Sequence, residues 1–319
     1  MFILIESHCY VTMVELRPVT FREFLILSDE KTYNHVENIS HIEALPEIVF
    51  NRLNEEYRRY LISGGMPEAV LAVLEGKGMG ILEGVLGNIL NLYTLDFARY
   101  ADPIQAARIH NLWGSLPSQL AKENRKFLYK VVKTGARARE YEDALLWLEE
   151  AGLVHRVFCV TKPAIPLSAY RDISAFKIYA LDCGILRRLS GLNPEIILQG
   201  HIGFTEFKRA LAENAVLQSL ICQFDRVPYY WTSEHKAEVD FLLQTSTSVI
   251  PVEVKSESRV SGKSLAVYNA RFNPAARIRF SANNLSQRDG LINIPVSMVD
   301  WVKRIFEIGS NQGSIQKTH

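Results

Sequence analysis

Two runs, Ala237-Glu238-Val239-Asp240-Phe241-Leu242-Leu243 and Pro251-Val252-Glu253-Val254-Lys255, decide how the C-terminal part of this chain is read. Both alternate with a period of two. In the first, Glu238 and Asp240 fall on one face of a strand and Val239 and Phe241 on the other. In the second, Val252 and Val254 oppose Glu253 and Lys255. The polar stretch 245–248 between them suits a tight turn, so an antiparallel pair in suitable register brings Asp240, Glu253 and Lys255 together. Upstream, residues 204–224 read as a helix whose apolar stripe passes about 60° from Glu213, on the shoulder of the buried face. Hard oxygen ligands from Asp240 and Glu253 suit Mg²⁺, with Glu213 completing the inner or outer ligand set. Lys255 is placed to orient a nucleophile or to stabilise charge on a phosphate in metal-assisted phosphodiester hydrolysis. Paired Glu and Lys side chains also occur on strand faces with no chemistry, and that reading stands beside the first.

Around these runs, residues 227–231 and 278–280 are strand-like and a helix is predicted over 299–308, with 309–319 a loose polar tail. A helix, adjacent strands and a further helix indicate an α/β unit. Residues 104–186 differ in character. Three helices are predicted at 104–114, 118–125 and 139–151, the last carrying Tyr141, Leu145 and Leu148 on one side and stopped by Gly152. Two β-runs follow at 153–160 and 175–181, and three helices before a two-stranded ribbon are the layout of a winged helix. Glu140, Glu142, Asp143, Glu149 and Glu150 make the third helix a poor reader of a phosphate-lined groove. This leaves it a packing or protein-contact role, with Lys162, Arg171 and Lys177 of the ribbon able to touch phosphates.

The N-terminal third reads as helical. Thr20-Phe21-Arg22-Glu23 is a capping box, and residues 47–62 form a helix with Ile48, Leu53, Tyr57, Tyr60 and Leu61 on its apolar side. Ser63-Gly64-Gly65 breaks it, and Pro67 opens the next helix. Residues 81–97 place Ile81, Val85, Ile89, Leu92 and Phe97 near helical spacing. The fold class is therefore α+β, in three parts: residues 1–103 helical, 104–198 winged-helix-like and 199–308 carrying the acidic strands.

The 319 residues, 48% hydrophobic and 22% charged, provide a sizeable core, and 36 basic against 35 acidic residues imply no global polyanion partner. Four scattered cysteines without a CxxC pair argue against a zinc site or disulfide framework and fit a cytoplasmic protein. No run approaches a membrane span. Among lesser candidates, Gly64-Gly65 reads as a turn rather than a nucleotide contact, and Arg99 and Arg108 as solvated arginines. Tyr229, Tyr230 and Trp231 read as core rather than base-stacking residues. The eight histidines show no metal-ligand pairing, and Cys183 lacks a partner for nucleophilic work.

Asp240…Glu253-Val254-Lys255, with Glu213 on the preceding helix, resembles the PD-(D/E)XK nuclease core. The ordered series Leu16-Arg17-Pro18-Val19-Thr20-Phe21-Arg22-Glu23-Phe24-Leu25, Gly64-Gly65-Met66-Pro67-Glu68, Leu116-Pro117-Ser118-Gln119-Leu120, Ala151-Gly152-Leu153-Val154 and Pro251-Val252-Glu253-Val254-Lys255 resembles a prokaryotic family of AAA-type ATPases. That family has a C-terminal domain of unknown function. The resemblance implies a winged helix and a nuclease-like domain, with Asp240, Glu253, Lys255 and Glu213 as site residues. It also implies DNA or a protein as partner. The family's P-loop is lacking: Gly262-Lys263-Ser264 has Glu257 where the motif needs its first glycine. Residues 1–19 are then the remnant end of the ATPase core, and ATP binding is not expected. A non-catalytic DNA- or protein-binding module, or a degenerate fragment, are the alternatives to a Mg²⁺-dependent nuclease.

Overall fold

The computed structural model describes residues 2–7, 10–122, 126–199, 205–233, 237–255 and 262–315. An antiparallel hairpin, β1 (Phe2–Ser7) and β2 (Tyr10–Glu15), precedes six helices: α1 (Phe21–Ser28), α2 (Glu30–Glu37), α3 (Glu47–Ser63), α4 (Pro67–Leu74), α5 (Met79–Tyr100) and α6 (Pro103–Leu120). The capping box forms as the sequence predicts, with Glu23 N donating to Thr20 Oγ1 at 3.2 Å and Thr20 N to Glu23 Oε2 at 2.8 Å. The chain turns after α3 at Gly64, where φ is 65°. A Cβ there would collide with the buried Asp182 carboxylate, so both the backbone and the neighbour demand glycine.

Two helical expectations change. On α5 the buried stripe is Leu82, Leu86 and Phe97, while Ile81 and Leu92 are 51% and 60% exposed. Two overlapping apolar stripes existed in the sequence, and packing against neighbouring helices selected one. The two helices expected at 104–114 and 118–125 are one, α6, running through Pro117. Proline removes a single backbone bond, and burial of Trp113, Leu116 and Leu120 holds the helix across it.

After α6 come α7 (Tyr129–Val132), α8 (Ala138–Glu150), β3 (Val154–Val160), β4 (Arg171–Ala180), α9 (Cys183–Leu189), α10 (Pro194–Gln199) and α11 (Thr205–Phe224). The remaining elements are β5 (Tyr229–Ser233), β6 (Ala237–Gln244), β7 (Val249–Val254), α12 (Lys263–Phe272), β8 (Arg277–Ser281), β9 (Ser286–Arg288), β10 (Leu291–Pro295) and α13 (Val302–Ile315). Eight strands form one mixed sheet in the order β4-β3-β5-β6-β7-β8-β10-β9. The architecture is α+β, with a helical N-terminal region and the sheet in the C-terminal half.

The β3–β4 ribbon is not a free wing. β3 pairs in parallel with β5 at Cys159 and Tyr230, so the sheet crosses the boundary expected at 198/199. Lys177 of β4 is consequently fully buried, over the Tyr230 ring at 4.7 Å and bonded to Glu238, and is withdrawn as a phosphate contact. Tyr230 and Trp231 are core, Trp231 standing edge-on to Tyr268 at 5.3 Å. The loose tail expected from Gly309 is also corrected. α13 continues to Ile315, and a Cβ on Gly309 would press on Ile292 and Ile42 at 2.9 Å. One hydrophobic core joins the N-terminal helices to the sheet, with the Phe21 and Trp301 rings 6.4 Å apart and Trp301 Nε1 donating to Glu37 at 2.9 Å. Among the described residues no helix is long and apolar enough to cross a membrane.

Candidate functional site

α11 covers one face of the sheet through Leu211, Val216 and Leu220, and α12 covers the other with Leu265 and Tyr268 against Trp231 and Val239. β6 and β7 pair antiparallel with Phe241 opposite Val252 and Gln244 opposite Val249. The turn closes by Thr245 N donating to Ser248 O at 2.9 Å. At the next rung the backbone ladder ends. The Asp240 side chain takes it over, its Oδ2 accepting the Val254 amide at 2.9 Å.

The even alternation expected of β6 is interrupted here. Trp231 pairs with Val239 but Tyr229 with Leu242, so β6 carries one extra residue. Val239 therefore joins the α12 cluster and Phe241 the core under α11, on opposite faces rather than one. Such a bulge re-aims the side chain beside it and is common next to functional sites. Here that side chain is Asp240, 1% exposed.

Glu253 alternates with Val252 and Val254, which lie in the core under α11, so its carboxylate leaves the sheet on the other side. Arg279, its partner in the β7–β8 register, donates Nε to Oε2 at 3.2 Å. Lys255 Nζ stands 3.1 Å from Oε1. Oε1 is buried and makes no hydrogen bond among the described residues, so it is held by charge alone. The Lys255 backbone is fixed through its amide to Phe280 O at 2.8 Å.

Glu213 is fully buried beneath α11. Its Oε1 accepts from Arg209 Nε at 3.1 Å and its Oε2 from the Tyr179 hydroxyl at 3.4 Å. Arg209 Nη2 reaches on to Asp240 Oδ1 at 3.5 Å. Glu253 and Lys255 thus meet directly, Asp240 sits on the backbone between them, and Glu213 is joined to Asp240 through a guanidinium. The expected convergence of the four is thus seen here as a series of pairwise contacts, with Lys255 and Arg279 at Glu253 and Arg209 between Glu213 and Asp240. Among the described residues no three His, Cys, Asp or Glu side chains gather as a ligand set. The donors Asp240 and Glu253 fit Mg²⁺ in kind, being oxygen ligands with a buried Glu253 oxygen unbonded.

Arg209 and Arg279 were absent from the sequence reading. Arg209 precedes Glu213 by four residues, a helical pair visible in principle. Arg279 needed the β7–β8 register. The lesser candidates resolve structurally. Gly65 N donates to Asp182 Oδ2 at 2.6 Å, which makes Gly64-Gly65 a turn clamped by a carboxylate. Burial pushes the Cys183 thiol well above its ordinary value, leaving no thiolate for nucleophilic work. Lys263 and Ser264 begin α12, while Glu257, His8, His201, His235 and His319 lie outside the described residues.

No curated protein and no solved structure matches the chain. Two family models do, neither described as an ATPase or a nuclease. Residues 54–196 are similar to a domain of unknown function, DUF8612, and residues 208–299, which hold all four site residues, to a second domain of unknown function, DUF4143.

Proposed function

We propose that α11, β5–β7, α12 and β8 form a nuclease-like core that hydrolyses nucleic-acid phosphodiesters with Mg²⁺, and that α6, α8 and the β3–β4 ribbon form a winged-helix-like unit beside it. The observation that carries the reading is the buried, unbonded Glu253 Oε1 beside the Lys255 ammonium, one rung from Asp240 at a strand bulge. Asp240 and Glu253 would hold the ion, which when bound supplies Lewis-acid polarisation of a phosphate oxygen and a more acidic water. Lys255 places a positive charge where negative charge grows on the phosphorus oxygens. Arg279 orients Glu253 from the neighbouring strand β8 through its Nε. Arg209, 38% exposed on its side chain, screens Asp240 and Glu213 and must swing away for a phosphate to approach.

The test is incubation of the full chain with labelled duplex and single-stranded DNA, with Mg²⁺ or with chelator. Cleavage is expected only with Mg²⁺, and Asp240→Asn, which preserves the side-chain shape, lowers it on the order of 100-fold or more. Cleavage that survives in Asp240→Asn removes the assigned site. A second reading, a non-catalytic binding module, is favoured by the cations already facing these carboxylates: Arg209 at Asp240 and Glu213, and Arg279 and Lys255 at Glu253. Absence of cleavage under every condition, in a folded protein, supports it.

A further inference from the structure

Between Lys126 and Arg139 the sequence carries five cations and no carboxylate, in a chain whose net charge is only +1. Four of them are exposed around the α7–α8 turn. Lys130 lies on α7, Lys133 on the turn after it, and Arg137 and Arg139 at the start of α8, all exposed. Lys133 and Arg108 of α6 line opposite walls of one open cleft of about 570 Å³. Lys130, Lys133, Arg137, Arg139 and Arg108 make no ion pair among the described residues. By contrast Arg156 bridges Glu142 and Glu149, two of the five acids that made α8 look hostile to phosphate. Glu140 is the acid that lines the cleft, and it accepts from the Arg137 amide at 3.4 Å. Acids occur along α8 from Glu140 in its first turn onward, and Arg137 and Arg139 flank the first of them.

We infer that this cleft, between α6 and the α7–α8 turn, docks the phosphate backbone of duplex DNA. Arg108 and Lys133 inside the cleft, with exposed Lys130, Arg137 and Arg139 on the same α7–α8 run outside it, suit a line of phosphates better than a single small anion. The Asn111 and Thr134 side chains, also in the cleft, add neutral hydrogen-bonding groups that phosphate oxygens use. The aromatic that lines the cleft, Tyr141, is buried and offers no face for stacking on single-stranded bases. The surface is independent of the hydrolase reading, since none of its residues belongs to the acidic site.

The experiment is fluorescence anisotropy of a labelled DNA duplex with the full chain in chelator, across a salt series. Lys133→Glu combined with Arg137→Glu is expected to weaken binding at least about tenfold and to flatten the slope of log affinity against log salt by about two. Arg108→Glu, on the facing helix, is expected to weaken it separately. Arg288→Glu, on β9 at the far edge of the sheet, leaves affinity and slope unchanged. Thermal melts establish that each variant is folded. The inference is overturned by no duplex binding at low salt, by patch variants that bind as wild type, or by equal weakening in Arg288→Glu. It is also overturned by patch-dependent preference for anionic vesicles, which exposed Ile104 at the rim makes the natural rival, or for polyglutamate. Duplex binding lost in the patch variants, with no cleavage by the wild type, sinks the hydrolase and keeps this surface. Cleavage with unaffected patch variants does the reverse.

Discussion

Asp182 and Asp240 are both buried aspartates, yet they are held in opposite ways. Asp182 is met almost wholly by N–H groups of fixed position: Oδ1 accepts from Ile185 N at 2.9 Å, and Oδ2 from Gly65 N at 2.6 Å and Gln218 Nε2 at 3.2 Å. Among the described residues Asp240 accepts one backbone amide, and its other oxygen faces a long, half-exposed arginine. Next to it, Glu253 is faced by Lys255 and Arg279. A carboxylate satisfied by backbone is a joint, here tying the turn after α3 to α9 and α11. A carboxylate satisfied by movable cations can exchange its partner for a metal ion or a ligand. Burial alone does not separate the two, because both aspartates are inaccessible.

The largest effect should come from breaking the joint. Asp182→Ala strands three donors and is expected to cost about 3 kcal/mol or more in denaturant unfolding, whereas Asp240→Asn, which keeps its acceptor oxygen, costs far less. Equal losses would erase the distinction. A titration outside both clusters provides the control. Burial, aided by Arg17, lowers the His155 pKa to about 4 from 6.5, so the unfolded chain binds more protons between those values. Stability is therefore present above about pH 6.5 and is lost as pH falls toward 4, by about 3 kcal/mol. Urea titrations should show this slope alike in wild type, Asp182→Ala and Asp240→Asn, and should lose it in His155→Phe. The smallest effect sharpens the comparison most. Arg209→Met removes an exchangeable partner and should cost about 1 kcal/mol. Mg²⁺ should then raise the melting temperature of Arg209→Met more than that of wild type. An unchanged melt with Mg²⁺ in both would mark the lattice as closed and favour the non-catalytic reading.

Local rules carried much of the fold. The Thr20–Glu23 box, the glycine break at residue 64, Pro67 at a helix start, the helix of α8 and the pairing of β6 with β7 all depend on neighbours in sequence, through capping, left-handed backbone and period-two patterning. Asp240, Glu253, Lys255 and Glu213 were visible for the same reason, as charges at patterned positions. Their mutual arrangement was not. A single inserted residue in β6 reverses the facing of Val239 and Phe241, and alternation read from sequence has no term for it.

From the order of its residues alone, this chain is an α+β protein with capped N-terminal helices and an acidic strand pair followed by a lysine. Those properties follow from interactions spanning a few residues, where stereochemistry and hydrophobic periodicity suffice. Tertiary structure decided that the β3–β4 ribbon joins the main sheet, that Lys177 is buried, that Arg209 and Arg279 face the acids, and that Arg108 of α6 shares a cleft with Lys133. Each of these is a contact between segments far apart in the chain, selected by which apolar faces bury together and which charges must then find partners.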